Sequence, residues 1–353
     1  MSTMHASEVT PMERVTTTLQ HRESDRVPFV LALGMYASHE LGMTVPEFYA
    51  DPANVIEGSL RTFAKYGSDV IAGTWPVAIE LEAWGTEILW FDDGPPNAGG
   101  PIINHPEDIL RLVPPRFEDG QRARWMLECI SAIRARVGPD VPIMGGIVGP
   151  NSLPVMQMGF EAYLNLILER RDLWARLMAV NEEWSVAWGN AQLAAGATAL
   201  AYFDPLASST IVPPALYRET GFEVARRVIP RLNGGTVTVL ASGRALPVIP
   251  DLIETGTLGV APSVLDDLEQ VVEACRGRAT IVGNLNGIEM RHWTQQEAEA
   301  KVRDLIRTAA PGGGLIVADN HGEIPLQVPE DILLAISEAV RVHGRYPIAG
   351  IDG

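Results

Sequence analysis

Cysteine is nearly absent from this chain. Its 353 residues include only Cys129 and Cys275, and neither has a CxxC or CxH neighbour, so neither a disulfide framework nor a thiolate metal cage is supported. Basic residues are scarce beside acidic ones, 27 Lys and Arg against 44 Asp and Glu, for a formal net charge of −17. Phosphate backbones are held by clustered Lys and Arg, so no nucleic-acid partner is expected. No apolar run reaches the length of a membrane span, and the opening MSTMHASEVTPMERV lacks the positive-then-apolar order of a leader. These absences predict a cytoplasmic protein with no membrane partner. No GxGxxG opens a helix after the first apolar run, which removes the signature of a doubly wound dinucleotide fold. Linkers, low-complexity runs and short repeats are missing too, so one domain over residues 1–353 is expected.

What the chain does contain is an alternation of short apolar and longer amphipathic runs. Strands are predicted at 27–33, 69–73, 142–148, 198–203, 236–241, 257–261, 279–283 and 314–318, each rich in Val, Ile or Ala and bounded by Gly, Pro or Asp. Helices are predicted at 51–66, 119–138, 160–170, 172–196, 214–231, 265–276, 294–309 and 329–343. Several begin at recognisable caps, namely Asp51 before Pro52, Thr294 three residues ahead of Glu297, and Pro329 with Glu330 and Asp331. Eight strands alternating with helices predict an α/β chain folded as a single (β/α)8 TIM barrel. Segment 84–104 reads as a β-hairpin inserted after the second strand.

In such a barrel the active site lies at the C-terminal ends of the strands. Those exits carry Tyr36, Trp75, Tyr202, Asp204, Ser242, Arg244 and Asn284, with Glu80 and Glu82 just beyond the second strand. The eighth exit holds Asp319, Asn320 and His321, with Glu323 close behind. The expected rim is acidic and aromatic with one Arg and one His, which suits general acid–base work better than a phosphate cradle. Asp204 reads as a catalytic carboxylate or as a turn residue before Pro205. Glu80 and Glu82 would share a face in an extended segment, as a proton donor or metal ligand or as a solvated pair. Trp75 and Tyr36 read as flat pocket walls or as packing, Arg244 as an anion anchor or a surface residue, and Asn284 as a substrate donor or a cap. His321 is the expected acid–base group, with Asp319 placed to orient it and raise its pKa. His5, His21, His39, His105, His292 and His343 read as surface residues.

These segments resemble the uroporphyrinogen decarboxylase superfamily, in particular its corrinoid-dependent branch, the methylcobamide:coenzyme M methyltransferases. MERVTTTLQHRESDRVPF is similar to the family's opening helix and first strand, and IELEAWG at 79–85 to an "EAEAxG" segment. GATALAYFDPLASSTIVPPALYRE at 196–219 is similar to the fourth-strand "DPxAS" signature, and VGNLNGIEM at 282–290 to a "GNLxPxE" seventh strand. The eighth strand leads into a helix start that reads PLQVPED at 325–331, similar to the family's Pro-Glu-Asp start. The resemblance covers nearly the whole chain and implies the uroporphyrinogen decarboxylase type of barrel.

The departures narrow what the resemblance implies. Decarboxylases of the family carry an Arg-rich motif after strand one and an Asp after strand two, where this chain has LALGMYAS and AGTWPVA. A substrate with many carboxylates has no partner on an Arg-poor rim, so uroporphyrinogen decarboxylation is not expected. The thiol methyltransferases hold zinc with an H-x-C pair after strand five and a Cys after strand eight. Here those places read Leu240-Ala241-Ser242 and Gly322 or His321, so zinc is doubtful and no metal is expected at the family's site. A set of His321 and Asp204 with Glu80 or Glu82 is the alternative if a metal is bound. The resemblance implies a methyltransferase that moves a methyl group between a small molecule and a corrinoid (methylcobalamin or cob(I)alamin) on a carrier protein, and it makes a homodimer plausible. The favoured direction is demethylation of a methoxylated aromatic or other methyl ether. The alternatives are methyl transfer to tetrahydrofolate, a non-catalytic paralogue that binds a corrinoid protein, and decarboxylation of a non-porphyrin substrate.

Overall fold

In the computed structural model, which describes residues 9–349, the alternating runs become a ring of parallel strands wrapped by helices. The stretch read for a leader falls mostly, and His5 wholly, outside the described residues. Six strands form a continuous parallel sheet in sequence order: β3 (Met144–Val148), β4 (Ala199–Phe203), β5 (Gly235–Val239), β6 (Gly259–Ala261), β7 (Thr280–Val282) and β8 (Leu315–Ile316). The predicted strands 27–33 and 69–73 close the ring. Val30 N–H donates to Val317 O and Val317 N–H to Pro28 O. Asp69 N–H donates to Phe29 O, and Ile71 N–H and Met144 N–H link residues 69–73 to β3. The chain is a (β/α)8 barrel.

Those first two strands pair through single bridges rather than ladders. Pro28 has no N–H to give to a ladder. Gly34 and Gly73 bring the two exits into backbone contact, since a Cβ on Gly34 would fall 1.3 Å from Gly73 O. Further on, β1 (Ile88–Leu89) and β2 (Asn97–Ala98) pair antiparallel, so segment 84–104 is the hairpin its sequence predicts.

Helices Pro52–Tyr66, Gln121–Val137, Arg171–Ala195, Gln295–Ala309 and Glu330–His343 lie where periodicity placed them. Asp51 caps the first of these through Ala53 N–H, and Thr294 and Glu297 form a complete capping box. The stretch 214–231 differs from the single helix expected. It breaks at Thr220 (φ −127°, ψ −91°) into Pro214–Glu219 and Gly221–Val228, then ends in a 3-10 turn through Pro230. Among the described residues no helix is long and apolar enough to cross a membrane.

The apolar interior has two parts. The larger fills the space between barrel and helices, while a smaller cluster of Val15, Val30, Val70, Val237, Val282 and Ile316 plugs the N-terminal end of the bore. The helix Pro11–Leu19 is fixed under that plug. Its Arg14 pairs with Asp25 and with buried Asp69, each at 2.6 Å; Asp69 also takes Arg26 at 2.7 Å and accepts from Phe29 N–H. Above the plug the bore is hollow.

A candidate active site at the barrel mouth

Parallel strands turn alternate side chains into the bore, and here many inward positions carry small residues. The result is an apolar cavity of about 380 Å³, running from the valine plug to the C-terminal mouth. Its walls include Trp75, Phe203, Met126 and Met144, and the hairpin contributes Pro95 and Pro96. Among the described residues three ionisable side chains line it, Asp319, His321 and Glu323, all from the loop after β8, and no Lys or Arg does.

The loop is held by its own aspartate. Asp319 accepts from Ala32 N–H at 3.1 Å, from His321 N–H at 3.2 Å and from Gly322 N–H at 2.9 Å. It thus ties the first strand to the eighth and shapes the turn that presents His321. Glu323 accepts from Met35 N–H at 3.2 Å, but burial outweighs that bond and pushes its carboxyl up to about 8. At neutral pH it holds its proton. For His321 the expected carboxylate effect is the smaller one. Burial lowers its pKa below the usual 6.5 despite Asp319 nearby, so the ring is neutral.

Asn320, buried at 1 % exposure, sets which ring nitrogen carries the proton. With its amide oxygen meeting Val264 N–H at 3.3 Å, its NH2 donates to Leu285 O at 3.0 Å and to His321 Nδ1 at 2.7 Å. An Nδ1 that accepts leaves the proton on Nε2. The same residue's carbonyl accepts from Ser242 N–H at 2.9 Å, so the β5 exit is tied to the β8 loop. Ala241 and Ser242 pass through left-handed φ of 47° and 68° to make that turn, a conformation uncommon outside glycine.

The other expected site residues lie elsewhere. Trp75 lines the cavity with Asp319 and His321, but Asp204 does not. Ala201 and Phe203 of β4 face the bore, so Tyr202 and Asp204 face the helices. Asp204 is 1 % exposed, accepts from Ser152 Oγ and Asn151 Nδ2, and is pushed up to about 6 by burial. Segment 79–85 is not extended. Val77–Ile79 is a 3-10 turn and Glu80–Ala83 a helical turn, so the two glutamates diverge. Glu80 accepts from Val148 N–H at 2.9 Å and Trp184 Nε1–H at 3.2 Å, and burial pushes it up to about 8. Glu82 pairs with Arg122 at 2.5 Å. Tyr36 is buried and donates to Val328 O. Arg244 is exposed and donates to Leu265 O, and Asn284 donates to Ser263 O, both lacing the rim rather than lining the bore.

Among the described residues no three His, Cys, Asp or Glu side chains converge on a metal position. The alternative set of His321, Asp204 and Glu80 or Glu82 therefore does not assemble. Glu323 is the cavity residue that reasoning from strand exits left without a role. It lies four residues past Asp319, and the turn at Gly322 (φ 102°) folds it back toward the mouth.

Comparison with known proteins agrees with the barrel. The chain is 25% identical over 343 residues to methylcobamide:CoM methyltransferase MtaA of Methanosarcina barkeri, covering 92% of this chain and 96% of that protein. It is 23% identical to methylcobamide:CoM methyltransferase MtbA of Methanosarcina acetivorans, covering 88% and 94%. The solved structure of a methyltransferase from Methanosarcina mazei superposes with a TM-score of 0.85 at 23% identity, over 95% of this chain and 99% of that one. The family model for uroporphyrinogen decarboxylase (URO-D) matches residues 10–343, and the chain belongs to that family.

Proposed function

We propose that this protein is a corrinoid-dependent methyltransferase that removes a methyl group from a small, uncharged methyl ether. The observation that carries the reading is the cavity: an apolar bore whose ionisable lining, among the described residues, is Asp319, His321 and Glu323 at its mouth. Relatives named methylcobamide:CoM methyltransferase, matched over 96% and 94% of their own length, support the reaction class. A polycarboxylate such as uroporphyrinogen would enter a bore with no Lys or Arg, at a large desolvation cost.

When bound, the corrinoid supplies the cobalt that takes the methyl group. It is far larger than the bore, so it would be met at the mouth, on a carrier protein docked over the strand exits. Breaking the methyl–oxygen bond leaves the electron pair on oxygen, and that oxygen needs a proton to depart as a neutral alcohol or phenol. Glu323, protonated at neutral pH, can deliver it. His321 Nε2–H can hold the same oxygen in place, and Asp319 keeps the loop that carries both.

The test is to mix the purified protein with cob(I)alamin and anisole or 1,2-dimethoxybenzene. The absorbance of methylcobalamin should appear together with an equal amount of the phenol. Carbon dioxide release from a carboxylated donor with no methyl transfer would replace this reading with the decarboxylase alternative.

A further inference from the structure

TIM barrels normally fill the bore with layers of branched side chains. Here Ala32, Ala72, Gly146, Ala201, Ala261 and Ala318, from six different strand positions, all face one cavity. A bore filled by branched side chains gains the dispersion contacts that small ones forgo, so a bore lined by small residues from six sides is shaped for an occupant. Dry apolar cavities of about 150 Å³ suffice to bind benzene. A space of about 380 Å³ therefore takes one substituted ring and excludes a tetrapyrrole macrocycle.

We infer that this Ala- and Gly-lined bore is a binding site for the non-methyl part of the donor, a single uncharged aromatic ring, inserted ring-down between Trp75 and Phe203. The inference rests on the proposed function and adds the substrate's class and direction. Charge settles the class. A carboxylate or sulfonate on the buried end of the ring would meet no Lys or Arg in the bore and would lose its hydration uncompensated. Size settles the direction. The corrinoid stays outside, and His321 and Glu323 sit at the mouth, so the methyl-bearing oxygen points up and the ring points toward the valine plug.

Gly146 offers a clean way to close the site. A Cβ built there meets nothing nearer than Ala201 O at 4.0 Å, so a side chain would project into the cavity of a strand that tolerates branching. The experiment uses the full chain without corrinoid and follows Trp fluorescence and thermal midpoint as anisole, 1,2-dimethoxybenzene or benzoate is added. Saturable binding of the two neutral arenes, with benzoate at least about tenfold weaker, is the expected result. Gly146→Leu should weaken arene binding by more than about tenfold while its own thermal midpoint holds or rises, as filling a void does. Ala261→Val repeats the test from another strand if Gly146→Leu fails to fold. Equal binding of benzoate, no binding of either arene, or undiminished binding in both variants would overturn the assignment. Arene binding without methyl transfer would leave the bore site standing and remove the reaction. Methyl transfer from methanol with no arene binding would do the reverse.

Discussion

Asn320 spends its whole side chain on its neighbours. Its amide bridges Val264 N–H, Leu285 O and His321 Nδ1, and its effect on the reaction comes through the imidazole it orients. Asn320→Asp replaces the donor with an anionic acceptor, so the proton moves to Nδ1 and the imidazolium gains a partner. The His321 pKa should then rise from its lowered position, visible as a shifted ring titration by NMR, and methyl transfer should fall about tenfold or more. Asn320→Ala should lose the tautomer preference without raising the pKa, which separates orientation from charge. Glu80 makes a contrasting case. Both its oxygens accept, from Val148 N–H and Trp184 Nε1–H. Glu80→Gln forces an NH2 group against one of those donors and should destabilise the fold by about 1–3 kcal/mol, read as a lower urea midpoint. His321, Asp319 and Trp75 could be placed at the cavity from sequence, because a strand end points its exit loop at the mouth. Asp204 and Tyr202 could not, because the strand's pleat, off by one residue, sends a side chain to the helices instead of the bore.

At the scale of elements, the capped helices were the most legible. Thr294 with Glu297 and Asp51 before Pro52 fix their starts by satisfying free N–H groups. Segments too short for a period, such as Ala37–Leu41 and Ile249–Glu254, give no comparable signal. The first two strands were legible as apolar runs, but not as bridged segments held by Gly34, Gly73 and Pro28. Their position depends on the ion network under the barrel. Arg14→Ala removes one of the two guanidinium groups on buried Asp69 and releases Asp25. It should cost about 3 kcal/mol, the scale of breaking a buried pair from one side, measured by chemical denaturation. The hairpin's Pro95 and Pro96 form part of the cavity wall. Deleting that hairpin should open the cavity and raise KM for a neutral donor more than it lowers kcat.

For the whole molecule, three carboxyls, two buried and Glu323 part-buried, pull the pH dependence of stability the same way. Glu80 and Glu323 are pushed up to about 8, and Asp204 to about 6, by burial. Each binds a proton in the folded state over a window where the unfolded chain has released it. Stability therefore falls as pH rises from about 4 through about 8. Urea midpoints taken between pH 5 and 8.5 should decline steadily, and the decline should be shallower in Glu80→Gln. The barrel and its family were readable because alternation and segment order survive at low identity. The chemistry was readable only in part, since it depends on the width of a bore, which alanines and glycines scattered over six strand positions do not announce. The central claim is that Glu323 protonates the departing oxygen of a methyl ether held in that bore. The direct measurement compares methyl transfer to cob(I)alamin from anisole and from 4-nitroanisole, in wild type and in Glu323→Gln. Nitrophenolate departs without a proton, so the substitution should cost about 100-fold with anisole and little with 4-nitroanisole. An equal loss with both donors, or no loss with either, would contradict the account.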